Sequence, residues 1–246
     1  MGGEKKIPVV DFSKEELKPG TASWVSAREA VCHALEDYGC FVATLVSDQA
    51  YLELRSSLFE ALNKLFDFPK EIKAQNTYDK PFRGYHSPNP VHEGLGIDNP
   101  TNPEQTQNFA KLFWPNGSND FSETACWYAK MVVGLDQMVT RMIFEHYGVD
   151  IKDCESHIGS TDYVMRLHKY EENSHIMALP EHADMNLTTI IHQNQVKGLE
   201  VKTQDGQWLA FDASPSSFIF MTGDAFQVGI IHLCFLIKIS RSSTFN

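Results

Sequence analysis

Near residue 160 the spacing of apolar residues changes from helical to alternating, and this limits what the chain of 246 residues can become. Before that point, "WVSAREAVCHALEDYGC" (24–40) places Trp24, Ala27, Val31, Ala34, Leu35 and Tyr38 on one helical face, with Gly39 as a stop. "DQAYLELRSSLFEALNKLF" (48–66) reads as a second helix with Asp48 as N-cap and Tyr51, Leu54, Leu58, Leu62 and Leu65 on one face. "FSETACWYAKMVVGLDQMVTRMIFEHYG" (121–148) reads as a long helix whose stripe of Tyr128, Met131, Leu135, Met138 and Met142 is core. "IPVVDF" (7–12) and "FVATLV" (41–46) read as strands. Residues 74–118 are rich in Asn, Pro, Gly and Thr and read as long loops with short strands.

After that point the period is two. "TDYVMRLHKY" (161–170), "NLTTIIHQ" (186–193), "GLEVKT" (198–203), "QWLAFDA" (207–213) and "SFIFMTG" (217–223) read as strands. Asp205-Gly206 between two of them predicts a hairpin with a two-residue turn. Helices followed by short antiparallel strands make an α+β chain that ends in a sandwich or barrel.

The net charge of −11 and pI of about 5.3 argue against a nucleic-acid-binding surface. Five scattered cysteines without a C-x-x-C pair argue against a zinc ribbon or redox dithiol and fit a reducing, cytoplasmic location. The first residues lack a secretory apolar core, and no stretch is apolar enough to span a membrane, so no membrane partner is expected.

The stretch "LPEHADMNLTTIIHQNQ" (179–195) carries His182 and Asp184, two positions apart beside a strand. On a strand, residues i and i+2 share a face, so an imidazole and a carboxylate would be presented together. Together they would make two thirds of a 2-His-1-carboxylate facial triad, which holds Fe(II) and leaves positions open. With ten histidines, about half a chance match to His-x-Asp is expected, so for the pair taken alone local hydrogen bonding is the favoured reading.

The order of motifs adds to this. "IPVVDFS", "ALEDYGCF", "LFDFPKEIK", "FRGY", "HADMNLTTIIHQNQVKGLEV", "DGQWLAF" and "FMTGDAFQV" together resemble the plant iron- and 2-oxoglutarate-dependent dioxygenases over residues 7–228. "LKPGT", "ALEDYGCF" and "QNQVKGLEV" resemble the AOP-type branch, which acts on glucosinolate side chains. The resemblance implies an N-terminal helical region (7–118). It implies a long helix with a double-stranded β-helix, or jelly-roll, core (119–228), lacking its last strands, and a non-homologous tail (229–246). It also implies Fe(II) and the co-substrate 2-oxoglutarate, with ascorbate as an accessory. The activity implied is oxidation, by hydroxylation, of a small organic metabolite of plant secondary metabolism, with release of succinate and CO2, by a monomer. His182 and Asp184 match the first two iron ligands. Tyr170 matches a tyrosine beside the 2-oxoglutarate carboxylate, although His168 stands where the family more often has Asn.

After "GDAFQV" the chain leaves the family pattern. The distal His is expected near Ile239, and the co-substrate Arg beyond Asn246. The tail offers His232 and Arg241 instead, either as a slipped third ligand and carboxylate partner or as part of a truncated, non-homologous end. The abrupt change at Val228 favours truncation, so little or no turnover is expected of the dioxygenase-like chain as written, with a catalytically inactive binding or regulatory remnant as the alternative function. His157 and His175 read as non-ligands, His192 as a packed strand residue, and Lys64, Lys70 and Lys73 as solvated helix-end charges.

Overall fold

In the computed structural model the described residues are 5–14, 16–45, 48–115, 119–171, 177–194, 198–203 and 205–226. In chain order the elements are β1 (Val9–Asp11), α1 (Ala22–Tyr38), β2 (Cys40–Thr44), α2 (Gln49–Phe66), α3 (Lys70–Lys73), β3 (His86–Asn89), β4 (His92–Asp98), α4 (Pro103–Phe113), α5 (Asn119–His146), α6 (Ile151–Ser160), β5 (Val164–Tyr170), β6 (Thr188–Ile191), β7 (Glu200–Lys202), β8 (Trp208–Ala210) and β9 (Ser217–Thr222). The class is α+β. Among the described residues the strands form sheets of four, three and two, with no closed barrel. Two compact units result. One is the described part of Met1–Asp48, Asp136–Gly159 and His182–Asn246; the other is that of Gln49–Leu135 and Ser160–Glu181.

In the first unit the four-stranded sheet has the order β1-β2-β9-β6. Thr21 caps α1 by accepting from the Trp24 N–H at 3.2 Å, and Gly39 ends it at φ 69° with its N–H on Leu35 O at 3.0 Å. The next residue begins β2, an apolar run buried on both faces. Alternation sends Phe41 to one face, where it stacks on Phe220 at 5.1 Å. On the other face Cys40 and Val42 pack with Ile219, Ile7, Leu209 and Phe211. The β7–β8 hairpin that supplies Leu209 differs from its expected form. Thr203 pairs with Gln207, so three positions separate the strands rather than two. Gly206 at φ 83° takes the left-handed position of this longer turn, and Thr203 Oγ1 accepts the Gln207 N–H at 3.1 Å.

In the second unit β3, β4 and β5 form an antiparallel sheet. The β4 sequence "HEGLGID" has two unlike faces: Leu95 and Ile97 are fully buried, while His92, Gly94 and Gly96 line the other side. The region expected to be loops contains an eleven-residue helix, α4. Its signals are in the sequence. Asn102 accepts from the Glu104 N–H, Pro103 takes the first turn, and Thr106, Phe109, Ala110 and Phe113 are buried at helical spacing. The turn-forming residues around it outweighed this pattern. In the first unit α6 had likewise gone unassigned; Asp150 opens it by accepting from the Lys152 N–H at 2.8 Å.

Lys73 overturns its reading as a solvated charge. Its side chain is 6% exposed, and Nζ donates to Phe66 O at 2.8 Å and to Glu93 at 2.7 Å. Tyr85 also donates to Glu93, at 2.7 Å. Lys73 and Tyr85 hold the Glu93 carboxyl below its usual range, against the opposing effect of burial, which is the largest single influence. Removing one partner of a buried pair leaves the other uncompensated. Lys73→Ala is therefore expected to lower the unfolding free energy by about 2–3 kcal/mol, whereas Lys70→Ala changes it by less than about 0.5 kcal/mol. Urea denaturation of both variants checks this.

Candidate functional site

His182 and Asp184 lie in the loop that enters β6, not on the strand itself. They nevertheless converge, with His182 Nε2 3.5 Å from Asp184 Oδ1. Three local devices hold this loop. Thr189, on β6, donates its hydroxyl to Asp184 Oδ2. Asn186 Nδ2 donates to the same Thr189 oxygen at 2.9 Å. The Asp224 N–H donates to Asp184 O at 2.8 Å and the Gly223 N–H to Leu187 O at 2.9 Å. The "GDAF" segment after β9 thus braces the loop through its backbone. Gly223 has to be glycine, because a Cβ there would overlap Asn186 O and come within 2.7 Å of Asp184 O. The side chains of His182 and Asp184 keep 50% and 33% of their surface, so an ion and further ligands can reach them.

A second group, not foreseen as a set, occupies one face of the β3-β4-β5 sheet. Register puts Arg166, His168 and Tyr170 opposite Gly96, Gly94 and His92, with His86 opposite Gly94. His92 Nε2 and His168 Nδ1 are 2.9 Å apart, and the His92 ring stacks on Tyr170 at 4.5 Å. Arg166 donates to Phe82 O at 2.5 Å, to Gly84 O at 2.9 Å and to His86 Nδ1 at 2.5 Å. Two glycines make this possible. A Cβ at Gly94 would overlap the His86 ring, and one at Gly96 would overlap Arg83 O and reach Arg166. The clamped "PFRGY" turn holds Phe82 at φ 62° and 81% exposed.

The Arg166 guanidinium stands beside the imidazoles, and Asp98 on the same side of β4 is paired with Arg83. Burial first, and then the Arg166 charge, push His86 down to about 4 and His168 down to about 3, and lower His92 as well. His168 keeps an exposed edge, but its Nδ1 is packed against His92. Partial burial raises the Tyr170 phenol, which stays protonated and able to donate.

Of the residues singled out from the sequence, the structure brings His182 and Asp184 together in the first unit and places Tyr170 on the histidine face of the second. His232 and Arg241, like His175 and the tail as a whole, lie outside the described residues. His192 packs on Phe218 with ring centroids 4.4 Å apart. The histidine face was missed because His168 lies 76 positions beyond His92 and joins it only through strand register. The glycine alternation in "HEGLGID" was the available signal.

Comparison with known proteins gives the following. A family model described as the 2OG-Fe(II) oxygenase superfamily matches residues 161–230. Another, described as the N-terminal region of non-haem dioxygenase in morphine synthesis, matches residues 7–116. The probable 2-oxoglutarate-dependent dioxygenase AOP1.2 of Arabidopsis thaliana is 40% identical over 229 residues, covering 89% of this chain and 70% of that protein. The 2-oxoglutarate-dependent dioxygenase AOP3 of the same plant is 28% identical over 319 residues, covering 89% and 77%. Among solved structures, the 2-oxoglutarate complex of the dioxygenase for auxin oxidation 1 of Arabidopsis thaliana matches with TM-score 0.76 at 25% identity, covering 90% of this chain and 81% of that one.

The depressed histidines make stability depend on pH. When unfolded, they titrate near 6.5; when folded, His86 does so at about 4 and His168 at about 3. Between these limits the unfolded chain binds more protons, so stability is full above about pH 6.5 and falls as pH drops towards about 4. Urea unfolding across that window is expected to show this slope, and His86→Gln with His168→Gln to flatten it.

Proposed function

Because the chain belongs to the 2-oxoglutarate- and Fe(II)-dependent oxygenase superfamily, on its AOP-type branch, we propose that it oxidises a small organic metabolite at a site built on His182 and Asp184. Fe(II) and 2-oxoglutarate are the cofactors of this family. The donor set fits the metal: one imidazole and one carboxylate converge at 3.5 Å. Two ligands at about 2.1 Å from one ion and at right angles stand about 3 Å apart. With Fe(II) held there, dioxygen would be the oxidant and 2-oxoglutarate the reducing co-substrate, one oxygen atom going to the succinate formed with CO2 and the other to the substrate.

The residues of the chain have defined roles in this reading. His182 binds as neutral imidazole and Asp184 as carboxylate. Thr189 holds the second Asp184 oxygen and so fixes the direction of the first, as an outer partner of a metal ligand does. The family resemblance assigns Tyr170 to a carboxylate of the co-substrate, and its phenol is protonated and able to donate. Hydroxylation as the specific outcome, ascorbate as accessory reductant, a role in plant secondary metabolism, a monomeric state and a cytoplasmic location belong to the same proposal. The AOP names of the relatives support the metabolic role. The four described cysteines, free and buried, support a reducing compartment. No helix among the described residues is long and apolar enough to cross a membrane.

The convergence of His182 and Asp184 carries the reading. Anaerobic addition of Fe(II) and 2-oxoglutarate is expected to give the visible charge-transfer band of the ternary complex. His182→Ala and Asp184→Ala each weaken Fe(II) binding on the order of 100-fold, and Thr189→Val about 10-fold. A folded wild-type chain without the band overturns the enzymatic reading and leaves a binding role.

A further inference from the structure

We propose that His86, His92 and His168 form a second metal site, a three-imidazole centre for a borderline divalent ion of the Zn(II) type, separate in its residues from His182 and Asp184. One ring nitrogen from each of the three lies within 4.8 Å of the others. His92 and His168 already approach to 2.9 Å. His92 is 2% exposed, and its Nδ1 is buried with no hydrogen-bond partner, so binding through Nε2 leaves an N–H unpaired there and costs part of the affinity.

The donor chemistry selects the ion. Among the described residues the carboxylate on this face, Asp98, is taken by an ion pair with Arg83. Three neutral imidazoles suit Zn(II), Cu(II) or Ni(II) and are poor ligands for Mg(II) or Ca(II), which prefer oxygen. His92 and His168 now share one proton between Nε2 and Nδ1. Moving the His92 proton to its unpartnered Nδ1 frees Nε2 for the ion, and both rings remain neutral. The exposed edge of His168 gives the ion a way in.

Arg166 opposes binding and provides a diagnostic. It donates to His86 Nδ1, which leaves the His86 proton on Nε2. An ion bound through Nδ1 displaces the guanidinium directly, and one bound through Nε2 moves the proton to Nδ1, where the guanidinium can no longer donate. Arg166 can withdraw and keep its bonds to Phe82 O and Gly84 O. Metal and the Arg166–His86 bond therefore exclude one another.

The test uses the untagged full chain carrying His182→Ala and Asp184→Ala, titrated with Zn(II) against a chromophoric chelator and with Co(II) by visible spectroscopy. One equivalent is expected to bind, with Co(II) ligand-field bands. His168→Gln should weaken binding at least 10-fold. Arg166→Gln should tighten binding by about 10-fold, the reverse of what an anion subsite would show. Side-chain NMR of the His182→Ala, Asp184→Ala chain guards against a misfolded variant: Zn(II) must shift the rings of His86, His92 and His168. No stoichiometric binding, binding indifferent to His168→Gln, binding lost with Arg166→Gln, or shifts confined to other histidines overturns the proposal. Each of these results leaves the Fe(II) reading of His182 and Asp184 untouched, because that pair is absent from the tested chain.

Discussion

The candidate iron site depends on a backbone contact rather than a side chain: the approach of Gly223 to the loop that carries His182 and Asp184. β9 lies between β2 and β6, so the end of β9 is fixed by the buried stack of Phe41 and Phe220. From there Gly223 and Asp224 reach back to Leu187 O and Asp184 O. A Cβ at Gly223 has no room, and the atoms in its way are mainly backbone, which cannot rotate aside. The apolar core thereby sets the position of the Asp184 main chain, and Thr189 sets its carboxylate. This ordering, core first and ligands second, is what a metal site needs if its geometry is to exist before the ion arrives.

The histidine face follows the same logic with different parts. Leu95, Ile97 and Leu167 anchor one side of β4 and β5 in the core. That leaves the other side free to carry polar groups, and Gly94 and Gly96 clear the volume that His86 and Arg166 fill. Asn76 locks the edge of this arrangement, exchanging two hydrogen bonds of 3.0 Å with the Gly96 backbone. The result is a crowded set of neutral imidazoles beside one guanidinium. Its depressed protonation follows from burial and that charge.

Much of this was legible in the sequence, and the exceptions have physical causes. The period change near residue 160 separates helices from the later strands as the structure has them. Gly39 ends α1 as its position suggested. α4 was obscured because Asn102 and Pro103, good helix-starting residues, are equally good loop residues. Lys73 read as a surface charge because its partner Glu93 is twenty positions away and on another element. His182 and Asp184 were close to chance as a pair and became informative only within the ordered motifs. Their convergence comes from a braced loop instead of strand alternation. The three-histidine group needs strand register to be read, since β3 and β4 adjoin in the chain but His168 on β5 lies 76 positions beyond His92.

The central claim is that His182 and Asp184 hold the metal of a working oxygenase. Single-turnover aeration of the chain loaded with Fe(II) and isotope-labelled 2-oxoglutarate measures it most directly, by the succinate formed. The account predicts labelled succinate from the wild-type chain and only background from Asp184→Ala of equal fold content. Equal yields from the two chains, or none above a protein-free control from either, would contradict it.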